Sequence, residues 1–294
     1  MRDAPVQREG SAFALVLAGG GARGYAHVGV LRELESMGLA PSGLVGVSMG
    51  STVAVTYALR DDWYDALLRL DTSGLPTPGD LHGSEQASPR RQKIQRAWAH
   101  ARTAWSLLTG WGAPDGAAAA GRASLRRLLG SARLEECRIP VTVCATDLLA
   151  GERVEITTGP AVPAVLASSS LAGILPPVEL DGRLLVDGVY ADIAPVDVAG
   201  KMGVSAVIAV DPGQPMDAVP PKNGLQVVVR AMEICHRSHA HERIGTADLV
   251  IHPTFDRYVD VLDFGARHHC VEAGRAAVEA MADRIQTLLS SERT

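Results

Sequence analysis

The 294-residue sequence is poor in aromatic side chains, which make up 4% of it, and it holds only four cysteines. Those four (Cys137, Cys144, Cys235 and Cys270) are scattered and form no CxxC pair. A zinc ribbon and a dithiol redox site are therefore excluded, and reduced thiols in a cytoplasmic protein are expected. Positive charge is also short: the formal net charge is −5, against the basic balance a general nucleic-acid binder needs, so no nucleic-acid partner is expected. No apolar run approaches the ~20 residues of a membrane-spanning helix. The opening stretch, residues 1–11, is polar without the apolar centre of a signal peptide, and a loosely ordered tail is expected there. Apolar residues nevertheless account for 47% of the chain, enough for a large core.

Apolar periodicity alternates between short strand-like runs and longer helical ones. Phe13 to Ala18 reads as a strand and Gly24 to Met37 as a helix, with Val28, Leu31 and Leu34 at helical spacing. Gly43 to Val47 reads as a second strand, with a helix from Met49 to Leu59. Further strands are expected at Pro140–Ala145, Arg153–Thr157, Leu184–Val186, Ser205–Val210 and Leu249–His252. Helices are expected around Ser124–Leu129, Pro163–Ser169, Pro195–Met202, Leu225–Arg243 and Ala266–Leu289. Strands alternating with helices predict an α/β fold with three α/β/α layers on a mainly parallel sheet. One domain is expected over residues 12–294, with an insertion at about 72–122 and a C-terminal helical extension at about 223–294. Ligands in such folds sit at the carboxyl ends of the strands, so the motifs of interest should follow strands.

Three do. Gly19-Gly20-Gly21-Ala22-Arg23-Gly24 follows the first strand, and its glycines let backbone N–H groups converge on a phosphate or an oxyanion. Gly19, Gly21 and Gly24 also fit the spacing of a dinucleotide-binding loop, but no carboxylate follows the second strand to hold a ribose. Gly46-Val47-Ser48-Met49-Gly50 is a GxSxG between a strand and a helix, the setting of a nucleophile elbow. Its plainer reading is a helix cap at Ser48. Asp187-Gly188 ends the strand Leu184–Val186 and supplies a carboxylate; a Ser–Asp pair needs no histidine. Of the late histidines only His252 follows a strand, and the rest fall within helices.

These three motifs, in this order, resemble the patatin-like phospholipase family, close to its bacterial members and to the catalytic domain of neuropathy target esterase. The stretches 24–31, 145–148, 167–170 and 175–178 support the likeness, which runs from about Ala14 to about Pro212. It implies a patatin-like variant of a serine hydrolase fold, with Ser48 as nucleophile and Asp187 as general base. Amides of Gly20, Gly21 and Ala22 are implied as the oxyanion hole. Gly19, Arg23, Gly24, Gly46, Met49, Gly50 and Gly188 complete the motifs around the substrate. It implies cleavage of fatty-acyl esters of phospholipids, lysophospholipids or related lipids through an acyl-enzyme, with no cofactor and no metal. The alternative is a lipid-binding or regulatory module on the same fold, with little turnover. The sequence departs from the family at Val189, where Gly or Ala is usual; a branched side chain resists positive φ, so the departure bears on the local backbone shape and not on the carboxylate.

Other residues have two readings. Arg90 to Trp111 carries five cations, no acid and three of the four tryptophans on a helical pattern. It reads as a core-packed helix with a solvated face, or as a lid or peripheral contact with the inner membrane surface. Asp147 reads as a turn residue or a second site carboxylate. His27 reads as a packing residue, and Ser168–Ser170 as a tight segment at a helix end.

Overall fold

The computed structural model describes residues 12–75, 77, 116–172, 174–216, 220 and 224–290. The expected N-terminal tail and the Arg90–Trp111 segment lie outside the described residues. Eight strands form one sheet: β1 (Phe13–Leu17), β2 (Gly43–Val47), β3 (Val141–Asp147), β4 (Glu152–Ile156), β5 (Val178–Leu180), β6 (Arg183–Asp187), β7 (Ala206–Val210) and β8 (Leu249–Ile251). The helices are α1 (Ala26–Ser36), α2 (Met49–Leu59), α3 (Trp63–Leu68), α4 (Ala117–Leu129), α5 (Ala161–Ser168), α6 (Val196–Gly200), α7 (Gly224–Ile244), α8 (Arg267–Glu279) and α9 (Ala282–Ser290).

Strands β3, β2, β1, β7 and β8 lie side by side in parallel, with β1 at the centre. All five residues of β1, β2 and β7 are buried, as continuous apolar runs must be when helices cover both faces. Phe13, Leu15 and Leu17 point into the larger core, against α1, α2 and α8. Ala14, Val16, Val45 and Val47 point into a thinner layer closed by Val196 and Val198 of α6 and by Ile244 of α7. Helix α2 is buried from Met49 to Ala58, so it shows no amphipathic stripe.

Sequence periodicity located the parallel strands to within a residue or two, but β5 was not expected. The helix expected at 266–289 is two, α8 and α9. The helix expected at 24–37 begins with a 3-10 turn, Gly21–Tyr25, before α1.

The sheet's antiparallel part positions the site. Val143 and Cys144 of β3 pair with β2 along one edge and with β4 along the other. From Ala145 onward β4 stays, and β6 replaces β2. Strand β2 runs parallel to β3 and ends at Val47 opposite Cys144, while β6 runs antiparallel and ends at Asp187 opposite Ala145. Their carboxyl ends therefore meet head-on along one edge of β3, which brings residues 48 and 187 together across 139 positions of sequence.

Candidate active site

Ser48 leaves β2 in a conformation rare for a side-chain-bearing residue, with φ 54° and ψ −124°. Strain of this kind persists only where the surroundings fix it. Its carbonyl accepts from Ser51 N at 2.9 Å, Thr52 N at 3.2 Å and Ser51 Oγ at 2.7 Å. Gly50 makes the turn possible: a Cβ there would lie 2.0 Å from the Leu17 carbonyl oxygen. The start of α2 can thus ride against the end of β1, which sets Ser48 beside the glycine loop. Ser48 does not cap α2, since its side chain makes no capping hydrogen bond. Its hydroxyl instead donates to Asp187 Oδ2 at 2.7 Å.

Asp187 is 2% exposed. Its Oδ1 accepts from Val189 N at 3.1 Å, and its carbonyl accepts from Thr146 Oγ1 at 2.8 Å. Burial pushes its carboxyl up to about 7, and the hydrogen bonds from Val189 and Ser48 only partly oppose this. Val189 sits in a short 3-10 turn, Gly188–Tyr190, without positive φ, so the branched side chain fits this backbone. It fills the space above Gly19.

In the glycine loop, Gly21 takes φ 55°, and a Cβ there would meet the Val261 carbonyl oxygen at 2.3 Å. The amides of Gly20 and Gly21 have no hydrogen-bond partner among the described residues. Ala22 differs from its expected role, because its N–H donates to the Val261 carbonyl at 2.8 Å and is not available to an oxyanion. Arg23 is buried; its Nη2 lies 3.5 Å from Glu233 Oε1, and its Nε and Nη1 have no partner among the described residues.

A cavity of about 790 Å³ opens over these groups. Gly19, Gly20, Gly21, Arg23, Ser48, Met49 and Asp187 line it, while Ala22, Gly24, Gly46, Gly50 and Gly188 stand behind its wall. Leu166, Leu171, Ile174, Leu175 and Ile193 give it apolar sides. Two other expectations resolve as structural roles. Asp147 Oδ1 accepts from Leu149 N at 2.9 Å and Ala150 N at 3.2 Å, which makes it a turn residue. His27 is fully buried with Nε2 2.8 Å from the Ala18 carbonyl, and burial holds its pKa down to about 4. His252 sits 3.4 Å from Asp211 Oδ2 at the cavity's edge, while the Ser48 hydroxyl goes directly to a carboxylate.

Sequence reasoning missed two hydroxyls. Thr146 Oγ1 holds the Asp187 carbonyl and accepts from Ala191 N at 3.1 Å. Ser168 Oγ accepts from Ser48 N at 2.9 Å. The signals for them were the stretches 145–148 and 167–170 of the family likeness and, for Ser168, its run of serines after an apolar helix.

A serine on a strained strand–turn–helix, bonded to a buried carboxylate under a glycine loop, places the chain among α/β proteins with a nucleophile-elbow site. More narrowly, it belongs to the patatin-like phospholipase family, whose model matches residues 15–199. An NTE family protein of Mycobacterium tuberculosis is 34% identical over 197 residues, which cover 67% of this chain and 47% of that one. Mouse patatin-like phospholipase domain-containing protein 6 is 31% identical over 218 residues, covering 69% of this chain and 14% of that one. The chain thus spans about half the length of its mycobacterial relatives and a small part of the animal ones. Among solved structures, human GIVD cytosolic phospholipase A2 is 12% identical with a TM-score of 0.49, covering 96% of this chain and 60% of that one. No helix among the described residues is long and apolar enough to cross a membrane.

Proposed function

We propose that this chain is a serine acyl hydrolase that cleaves fatty-acyl ester bonds of phospholipids, lysophospholipids or related lipids. The observation that carries the reading is the 2.7 Å hydrogen bond from Ser48 Oγ to buried Asp187, beside two unengaged glycine amides in an apolar cavity. Family membership and the lysophospholipase NTE1 of Candida glabrata, 31% identical over 218 residues, support it.

In this reading the ionised Asp187 carboxylate takes the Ser48 proton as Oγ attacks the ester carbonyl carbon. A carboxyl at its ordinary value would be a weak base at neutral pH; burial brings it close to the working pH. The new oxyanion is held by the Gly20 and Gly21 amides, each donor typically worth about 3 kcal/mol in a water-poor site. Protonated Asp187 then gives its proton to the departing alkoxide. Water, deprotonated by the same carboxylate, attacks the acyl carbon; the bond to Ser48 Oγ breaks, Oγ takes the proton back from Asp187, and the fatty acid leaves.

The test is hydrolysis of a short-chain p-nitrophenyl ester and covalent labelling by a fluorophosphonate, with Ser48→Ala and Asp187→Asn assayed beside the parent. Loss of both signals in Ser48→Ala is expected. Labelling that survives in Ser48→Ala overturns the nucleophile. A parent that binds lipid vesicles but neither hydrolyses the ester nor takes the label is a binding module instead.

A further inference from the structure

We propose that Ser168, at the end of α5, is the positioning residue that fixes the nucleophile, and that the turn it begins gauges both members of the pair. The proposal rests on the Ser48–Asp187 reading above. Ser168 is fully buried. Its Oγ accepts from Ser48 N at 2.9 Å and donates to the Cys144 carbonyl on β3 at 2.6 Å. Two residues on, the Ser170 carbonyl accepts from Asp187 N at 2.9 Å. One short segment thus holds the backbone N–H of nucleophile and base alike.

The need for it follows from the elbow. Every hydrogen bond to the Ser48 carbonyl comes from the next four residues, so each moves with the elbow rather than anchoring it. The Ser48 N–H precedes α2 and has no partner within that helix. Ser168 supplies the acceptor from outside. It is itself tied to Cys144, the residue that pairs with Val47. The bridging atom must accept on one side and donate on the other, which a hydroxyl does and an alanine methyl cannot. Without it, the Ser48 N–H and the Cys144 carbonyl lose this partner, and the strained turn loses the distant restraint on its backbone, leaving the side-chain bond to Asp187.

Ser168→Ala is expected to lower kcat on a p-nitrophenyl ester by about 10- to 100-fold, as small misplacement of a reacting atom does, with KM within about threefold. The second-order rate of fluorophosphonate labelling should fall in parallel. Ile285→Val, a buried change outside the cavity wall, supplies the comparison for lost stability alone, and its kcat should stay within about twofold. All rates are read well below each variant's own Tm. Labelling of Ser48 at the parent's rate in folded Ser168→Ala overturns the positioning role and leaves the Ser48–Asp187 pair standing. A parent in which Ser48 takes no label overturns the pair and the positioning role together.

Discussion

The two halves of the site arrive by opposite means. Ser48 sits on a turn that sterics dictate: positive φ, and a Gly50 with no room for a Cβ. Asp187 sits on an unstrained turn, φ −48° and ψ 135°, that accepts its own Val189 amide. Its special property comes from burial, which raises its pKa. One half is placed by shape and the other is tuned by its surroundings. Substitutions in the elbow should therefore disturb geometry and folding, and those at the aspartate turn should disturb protonation.

The largest effect sharpens the chemical side. Ser48→Ala should reduce kcat/KM for the ester by about 10⁴-fold or more, read by initial rates at pH 8. Asp187→Asn should cost about 10³-fold, while its effect on stability runs the other way. The folded carboxyl is raised, so the stability tied to its neutral form is complete below about pH 4 and is lost as pH rises through about 7. Thermal melts should then show Asp187→Asn more stable than the parent by up to about 4 kcal/mol at pH 8, with the gap closing near pH 4. The same group predicts a rate limb: log kcat/KM should rise with slope near one below about pH 7 and level off above it. A limb centred near pH 4 would remove the tuning half of the comparison.

Gly50→Ala tests the steric half. An exposed helical glycine usually gains up to about 1 kcal/mol on becoming alanine. Here the added carbon meets the Leu17 carbonyl, so a loss of about 3 kcal/mol is expected by denaturant melts. Val189→Ala should be the mildest: about 1 kcal/mol of stability and less than a threefold change in rate.

Legibility in the sequence followed the same division. The elbow and the glycine loop were readable because glycines and a serine at fixed spacing between strand and helix are local signals. The Asp187 turn was readable only as a carboxylate at a strand end, with its role coming from family likeness. Its partner depends on β6 taking over the edge of β3 from β2, a pairing no local pattern announces. Ser168 stood out only as part of a serine run at a helix end, and its role stayed hidden for the same reason, since it lies in bonds to residues 120 and 24 positions away. Ala22 was misassigned because a loop motif gives the number of amides but not which one a distant carbonyl, here Val261, has already taken.

The head-on meeting of β2 and β6 has a consequence for how the molecule comes apart. Three residue pairs join β6 to β3, and three more join it to β5 at the sheet's margin. Opening of this margin would carry Asp187 away while the central strands and the elbow stayed intact. Activity should therefore vanish on heating before the main cooperative transition. Amide hydrogen exchange in β6 should be governed by a smaller opening energy than in β1, which has a parallel neighbour along all five residues on the β7 side.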